Sequence, residues 1–226
     1  MTLLLVAARL APVTFLSPAF GGARVPWWIR LGLALLLAAL LAPLVAAGPV
    51  ARPELLIPRE LAVGFVLALL AAVPFWAAQA AGAMSDAVTG LSGRLAELLL
   101  LLAAVVFFAS DGHLLLVRAL ATSYQAVPLT ASVPLGNAGE TVIAATAHLI
   151  LAAVGIAAPV LVAVVVADVA FALVARAGRG VALVEAAVAL RSYAAAFALL
   201  ASLASIALAI RGELGYALAK LAHPFG

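Results

Sequence analysis

Long apolar runs constrain this chain more than any other feature of its sequence. Six runs carry few charged residues, and they cover approximately residues 3–20, 31–47, 61–84, 95–109, 141–175 and 181–210. A helix needs about 20 residues to cross a bilayer core of about 30 Å, so the second and third runs are long enough and the last two exceed a normal span. Ala and Leu dominate, which favours helices over a transmembrane barrel. With 68% hydrophobic and 9% charged residues, the chain is predicted to be an all-α membrane protein.

Prolines and glycines indicate where these helices bend or end. Four prolines lie inside the apolar runs and are expected to kink or break the helices: Pro12, Pro43, Pro74 and Pro159. The last two runs are separated by residues 176–180, whose glycines and arginines predict the turn of a long helical hairpin. Residues 125–139 contain two prolines and two glycines, which predicts an irregular connection. The fold expected from this pattern is a set of kinked helical hairpins.

Composition also excludes several classes of function. The chain has no cysteine, so disulfides and thiolate metal sites are excluded. Its net charge of +3 is scattered, and no basic block suited to nucleic acid is present. The sequence contains no Walker A loop, no HExxH motif and no metal-binding cluster, so we expect no cofactor. If each run crosses the membrane once, the basic residues divide evenly between the two sides, and the positive-inside rule gives no orientation.

Ionisable residues inside the apolar runs need partners, because a charge at the centre of a helix in lipid costs roughly 2.5–3.5 kcal/mol. In the predicted hairpin, Asp168 lies ten residues before Gly178 and Arg191 lies thirteen residues after it. At a rise of about 1.5 Å per residue the two positions differ by roughly one turn. Asp168 and Arg191 therefore either pair across the hairpin or each contact a neighbouring subunit. Arg9, Gln79, Glu97, His148 and Glu185 lie in apolar surroundings as well.

One short motif suggests an enzyme. Gly90-Leu91-Ser92-Gly93 matches the G-x-S-G core of rhomboid-type intramembrane proteases, and His148 follows Ser92 by 56 residues. A serine and a histidine in a helical bundle could act as nucleophile and base. The earlier His-x-x-x-Asn motif of those proteases has no counterpart, because the only asparagine is Asn137. A flexible turn that opens a helix at Arg94 is the favoured interpretation, and a protease using Ser92 and His148 is the alternative.

The segment 107–129, FFASDGHLLLVRALATSYQAVPL, interrupts the apolar pattern with polar residues. Asp111 is expected to cap a new helix through its carboxylate, and Gly112 to permit a tight reversal of the chain. Pro128 should stop that helix, with the three preceding residues extended. His113 is expected to be a helix-start histidine with satisfied polar atoms and not a proton-transfer group. The segment thus predicts a two-helix corner with a polar tip.

The same segment resembles the central signature of the FliR/SctT family, the export-gate subunit of flagellar and injectisome type III secretion. The residues that carry this resemblance are Phe107-Phe108, Gly112-His113, Ser123-Tyr124 and Pro128. Further pieces agree with the family in the same order: Arg9–Pro12, Pro18–Phe20, Val25-Pro26, Arg30–Ala34, Pro43, Glu60 with Gly64, Ala81-Gly82 with Asp86 and Gly90, Ala158-Pro159, and Asp168. The resemblance extends to about Arg176.

The resemblance implies a non-enzymatic subunit of a helical pore that passes unfolded proteins across the bacterial inner membrane. Residues 1–140 resemble the FliP/SctR subunit, and residues 141–226 resemble the hairpin of the FliQ/SctS subunit. The implied partners are FliP/SctR-like, FliQ/SctS-like and FlhB/SctU-like subunits, exported proteins and membrane lipid. Nucleic acid is not an implied partner. The assembled complex would be raised toward the periplasm.

One departure from the family concerns the plug, a segment that helps to close the pore. Here Gly90, Ser92, Gly93 and Arg94 lead almost directly into the next apolar run, so the plug is shortened and gating by this subunit is in doubt. The residues fit either a flagellar system or an injectisome. We expect the structural and assembly determinants to be Asp86, Gly112, His113, Ser123, Pro128, Asp168 and Arg191.

Overall fold

The computed structural model describes residues 2–20, 25–45, 53–89, 93–129, 135–177 and 182–222. These residues form seven α-helices, and no strand occurs within these ranges. The helices are α1 (Thr2–Leu16), α2 (Trp27–Leu41), α3 (Pro53–Thr89), α4 (Arg94–Ala109), α5 (Gly112–Ala126), α6 (Leu135–Ala177) and α7 (Ala182–Ala222). Short 3-10 turns follow α1 at Pro18–Phe20 and α2 at Ala42–Leu44. The prediction of an all-α membrane protein is confirmed.

The central element is α3, a helix of 37 residues. Every residue from Val66 to Ala78 is buried or half-buried, which is expected of a helix that is apolar on all sides. It packs against α1, α4, α6 and α7. The helices that lie against it place their own buried side chains in one continuous apolar core. The polar groups described below act at the two ends of α3.

Prolines affect the helices less than the sequence predicts. Pro12, Pro74 and Pro159 lie inside α1, α3 and α6, and each helix continues through its proline. None of the three breaks its helix, and a kink at these positions stays a prediction. A proline removes only one backbone donor, and packing against neighbouring helices offsets that loss. Pro43 lies in the 3-10 turn that ends α2, as expected for a proline beyond the last helical turn.

The predicted corner and hairpin are both present. The axes of α4 and α5 differ by 75° across the break at Ser110 and Asp111, and α6 packs against α7. The irregular connection is shorter than predicted, because α5 continues to Ala126 and α6 begins at Leu135. Packing of the long helix α6 on α3 outweighs the low helix propensity of its first turns. The turn between α6 and α7 lies outside the described residues.

Among the residues that the structure describes, four helical segments are long and apolar enough to cross a membrane: Trp27–Leu44, Leu56–Thr89, Gly139–Ala170 and Ala196–Leu221. The bent pair of α4 and α5 would be a fifth if it formed a single broken span. The segment in α3 is mostly buried inside the protein, whereas those in α2, α6 and α7 expose most of their surface. The fold therefore surrounds one buried central helix with apolar helices that have exposed outer faces.

Candidate functional site: a buried charge cluster that joins three helices

A buried ion pair joins α1 to α3. Arg9 on α1 donates its Nε hydrogen to Oε2 of Glu60 on α3 at 2.6 Å, and both side chains are 0% exposed. Two charges so far from solvent need each other as partners. Oε1 of Glu60 is buried and makes no hydrogen bond. The pair fixes the relative position of two helices whose contact residues lie 51 positions apart in sequence.

The other guanidinium nitrogens of Arg9 hold the end of α5. Nη1 donates to the carbonyl oxygen of Ser123 at 3.2 Å, and Nη2 donates to that of Val127 at 2.9 Å. The guanidinium also lies over the ring of Tyr124, 4.1 Å from its centroid, in a cation–π contact. The carbonyl of Ser123 also accepts the N–H of Val127 at 2.9 Å. The carbonyl of Val127 lies beyond the last helical turn, where carbonyl groups lack helical partners and carry partial negative charge. A buried arginine from α1 therefore acts as the cap of α5.

Arg59 extends this contact beyond the helix. It donates Nη2 to the carbonyl oxygen of Pro128 at 2.9 Å and Nη1 to that of Leu129. Its Nη1 also lies 3.3 Å from Oε1 of Glu60. Because Pro128 ends the helix, these backbone carbonyls need donors from elsewhere. We call Arg9, Arg59, Glu60 and Tyr124 the Arg9 cluster.

Gly64 explains why α1 can approach α3 so closely at this cluster. It lies four residues after Glu60, so both residues share one face of α3. A Cβ atom at Gly64 would lie 2.1 Å from the backbone oxygen of Arg9. The glycine permits the close contact, and the glutamate neutralises the arginine that the contact buries. This is the physical basis of the Glu60 and Gly64 pattern noted in the sequence.

The opposite end of α3 holds α4 through Asp86, one of the predicted determinants. Its two carboxylate oxygens accept hydrogen bonds from the backbone N–H groups of Leu95 and Ala96, at 3.1 and 3.0 Å. Gly93, which precedes α4 with φ 83°, supplies no side-chain cap. Asp86 therefore satisfies the free donors of a helix N-terminus from a neighbouring helix. Gly82, one turn earlier, permits this approach, because a Cβ there would lie 2.4 Å from Cα of Ala96.

The corner between α4 and α5 differs from the prediction in its details. Asp111 makes no side-chain capping bond, and its own backbone is left-handed, with φ 55°. A side-chain cap usually requires extended backbone at that position, so the predicted carboxylate cap is wrong. The reversal occurs at Asp111 and not at Gly112. Gly112 is needed for packing, since a Cβ there would lie 2.4 Å from the ring of Phe107.

Three further predicted determinants lie on or next to α5: Ser123, Pro128 and His113. Ser123 is buried, donates its hydroxyl to the Leu120 carbonyl at 2.7 Å, and offers its own carbonyl to the Arg9 cluster. Pro128 follows the end of α5 by two residues and offers a carbonyl to the same cluster. The prediction that the three residues before it are extended is wrong for Gln125 and Ala126, which are helical. The expectation that the polar atoms of His113 are satisfied is wrong for Nδ1, which is buried without a hydrogen-bond partner. The imidazole lies against Phe108 instead, an apolar neighbour that offers no acceptor.

The C-terminal hairpin contains a different polar contact. Nε2 of His148 on α6 lies 2.6 Å from Oε2 of Glu213 on α7, and both side chains are half-buried. The ring of Tyr216 stacks on that of His148 with centroids 4.2 Å apart. Asp168 is half-buried on α6. The side chain of Arg191 lies outside the described residues, so the pairing of Asp168 with Arg191 stays a prediction.

The structure describes only some of the residues of the predicted short plug and of the protease alternative. Gly90 and Ser92 lie outside the described residues, while Gly93 and Arg94 are exposed at the start of α4. His148, the proposed base, is engaged by Glu213 on a neighbouring helix. These contacts favour a structural role for this histidine in joining two helices.

The fold and the buried contacts together define a class of protein. It is a helical membrane protein in which charged side chains hold helices in place: the Arg9 cluster at one end of α3, and the Asp86 cap at the other. The sequence matches the family named Bacterial export proteins, family 1, over residues 1–216, and the chain belongs to that family. A flagellar biosynthetic protein FliR from Caulobacter vibrioides is 29% identical over 193 residues, which cover 76% of this chain and 76% of the relative. The resemblance inferred from the sequence is confirmed, and the protease alternative gains no support.

Sequence reasoning missed the Arg9 cluster as a unit. The sequence identified Arg9 as a charge in an apolar run and Glu60 as part of a family pattern with Gly64. No sequence pattern indicated that the two side chains form an ion pair. The hydrogen-bond acceptors of Arg9 on α5 lie more than 100 residues away from it in sequence. They are backbone carbonyls, which carry no residue signature at all. The available signal was two opposite charges on different apolar helices, each needing a partner.

Proposed function

We propose that this chain is an export-gate component of a type III protein secretion system. In this role it forms part of the helical channel that passes unfolded proteins across the inner membrane. The observation that carries the proposal is the family match over residues 1–216. The apolar helices support it, since such a component must be an integral membrane protein. The chain's role in the channel is structural and not enzymatic.

The two ends of α3 suggest how the chain performs this role. The Arg9 cluster fixes α1 and the end of α5 on α3, and Asp86 fixes the start of α4 on the same helix. A subunit that contributes to a ring around a passing chain must keep its shape while substrates move past it. Buried ionic contacts provide that rigidity, because moving one helix would leave a charge without its partner.

The partners that we propose are FliP/SctR-like, FliQ/SctS-like and FlhB/SctU-like subunits, together with the exported proteins. In this arrangement residues 1–140 occupy a position similar to that of a FliP/SctR-like subunit, and residues 141–226 one similar to that of a FliQ/SctS-like hairpin. The start of α6 at Leu135 supports a division near this point. The complex would be raised toward the periplasm, and partner side chains would help to seal a pore whose plug in this subunit is short.

Deletion of the gene in its own bacterium, followed by complementation, tests the proposed function. We expect loss of type III secretion or of flagellar assembly, and recovery when the tagged chain is supplied. Purification of the tagged chain in mild detergent should bring the FliP-like and FliQ-like subunits with it. Normal secretion and normal flagella in the deletion strain would contradict the proposal, as would recovery of the chain as a monomer from cells that secrete normally.

An exposed arginine provides a matched control for a residue-level test. Arg9→Glu should abolish co-purification with the partner subunits, because it places a second carboxylate beside Glu60 in a buried site. Arg118→Glu makes the same change at an exposed position on α5 and should leave the complex intact. Equal co-purification of the two variants would show that the Arg9 cluster does not support assembly.

A further inference from the structure

The contact between α6 and α7 fixes how the two helices are aligned. Since they are antiparallel and His148 faces Glu213, each residue further along α6 lies opposite a residue one position earlier on α7. Asp168, twenty residues beyond His148, is therefore level with Tyr193, twenty residues before Glu213. The hairpin thus has two polar layers. We call them the His148 layer (His148, Glu213 and Tyr216) and the Asp168 layer (Asp168 and Tyr193).

The spacing of these layers matches the thickness of a bilayer core. Twenty residues at a rise of about 1.5 Å span about 30 Å, and the hydrocarbon core of a typical bilayer is also about 30 Å thick. Between the layers, residues 149–167 on α6 and 194–210 on α7 contain no charged residue and no histidine. Arg211, which is exposed, lies two residues from Glu213 and belongs to the edge of the His148 layer.

The surface between the layers is apolar, and the layers themselves carry exposed tyrosines. Tyr193 is 71% exposed and Tyr216 is 48% exposed. Tyrosine is enriched at membrane–water interfaces, because its ring is apolar and its hydroxyl needs a polar partner. Large apolar side chains are exposed on both helices between the layers: Leu151, Val154, Val162, Val165, Val166, Phe197, Leu200 and Leu208. An interface with another protein has no physical reason to place polar layers one bilayer thickness apart.

We propose that, in the membrane-inserted chain before partner subunits join it, residues 149–167 and 194–210 form the lipid-embedded band of the hairpin. Acyl chains cover the exposed face of this band, and the two polar layers lie in opposite headgroup regions. The parts of α6 and α7 beyond the layers then lie outside the hydrocarbon. Hydropathy alone places the spans at Gly139–Ala170 and Ala196–Leu221, which would put His148 and Glu213 inside the membrane. The half-buried ion pair is easier to accommodate where water and headgroups reach it.

The absence of cysteine in the sequence permits a direct test with three exposed alanines. Ala144 lies four residues before His148, Ala172 lies four residues after Asp168, and Ala204 lies near the middle of the band. Each is changed to cysteine in the full chain, expressed without partner subunits, and intact spheroplasts are treated with a membrane-impermeant maleimide. We expect one of Ala144→Cys and Ala172→Cys to react in intact cells and the other only after permeabilisation. Ala204→Cys should remain unlabelled under both conditions, because the maleimide reacts with the thiolate and thiolates do not form in hydrocarbon.

Two labelling results would overturn the proposal. If Ala144→Cys remains unreactive under both conditions, the hydrocarbon extends past His148, as the hydropathy span requires. If Ala204→Cys reacts as fast as the two end positions, the middle of the hairpin is in water. Neither result depends on whether the chain joins a secretion system, so failure here is distinguishable from failure of the proposed function.

A second measurement distinguishes lipid from another copy of the chain as the cover of the band. Leu203→Trp is introduced after Trp27, Trp28 and Trp76 are changed to Phe, and the variant is reconstituted in vesicles that contain brominated lipids. We expect quenching that is strongest with bromines near the bilayer centre. Tyr216→Trp in the same background should report a depth of about 15 Å from the centre, half the core thickness. Absence of quenching of Leu203→Trp by every brominated lipid would show that protein covers the band and would overturn the proposal.

Discussion

Glu60→Gln tests whether the Arg9 cluster stabilises the fold. Glutamine keeps the shape of glutamate but removes its charge, so the guanidinium of Arg9 would stay fully buried without a counter-charge. Arg59, whose Nη1 lies 3.3 Å from the same carboxylate, would then add a second uncompensated positive charge. Removing one member of a buried ion pair costs about 3–5 kcal/mol. At about 1.4 kcal/mol per tenfold change, this lowers the folded-to-unfolded ratio by roughly two to four powers of ten.

The double variant Arg9→Met with Glu60→Leu separates the ionic contribution from packing. It removes both charges and keeps the side-chain volume, a change that is often neutral or stabilising for a buried pair. The carbonyl of Val127 would still lose a donor, at a cost of about 1–3 kcal/mol for a buried unsatisfied group. We therefore expect the double variant to be more stable than Glu60→Gln alone and less stable than the parent chain.

Unfolding of the purified chain in mild detergent, followed by circular dichroism, measures these differences. Arg118→Met is the matched control, because Arg118 is exposed on α5 and exposed substitutions usually change stability by less than about 0.5 kcal/mol. If Glu60→Gln is as stable as this control, the buried pair contributes nothing to folding. The single variants Arg9→Met and Glu60→Leu are measured as well. If the double variant loses as much free energy of unfolding as the two single variants together, the side chains of Arg9 and Glu60 are not coupled.

Three further predictions use the same measurement. Gly64→Ala should destabilise the chain strongly, because the new Cβ would lie 2.1 Å from the backbone oxygen of Arg9. Gly155→Ala is the control, because a Cβ at that position meets open space. The control variant should be as stable as the parent chain or more stable. Asp86→Ala should cost about 1–2 kcal/mol, the range for loss of a helix cap, and an unchanged melting curve would show that the two hydrogen bonds contribute nothing net. Asp111→Gly should raise stability by up to about 1 kcal/mol, because glycine adopts a left-handed backbone without strain; a loss would indicate a contact of its carboxylate that holds the corner.

The helical fold could be predicted because it depends on composition and run length, which the sequence displays directly. Boundaries were predicted less well. The third apolar run indicated a helix over residues 61–84, whereas α3 covers Pro53–Thr89. The first residues of α6 include Gly136, Asn137 and Gly139, which favour a loop by propensity, yet they are helical. In both cases a long packed helix supplies its own extra turns, because adding one residue to an existing helix costs much less than starting a new one.

The polar sites show which information a single sequence lacks. Asp86 was predicted from its place in a family pattern, and the structure supplies the reason, which is a cap on a neighbouring helix. The cap predicted at Asp111 was wrong, because sequence shows that an aspartate precedes a helix but not that its backbone is left-handed. Arg9 could be recognised as a charge that needs a partner, whereas Glu60 was noted only as part of the family pattern with Gly64. Their pairing depends on which helices are adjacent, and that follows only from the assembled core.

Two parts of the chain use ionised residues in different ways, and the difference bears on how the protein assembles. Arg9 and Glu60 are 0% exposed, so neither solvent nor a partner subunit reaches their contacts in the folded chain. His148 and Glu213 keep 29% and 22% of their side chains exposed, so solvent or headgroups can still stabilise their charges if the two helices separate. A pair of the first kind rigidifies a unit, whereas a pair of the second kind aligns two helices that remain adjustable. This contrast supports the proposed division of the chain near residue 140: buried charges hold the N-terminal helices on α3, whereas α6 packs on α3 through apolar side chains.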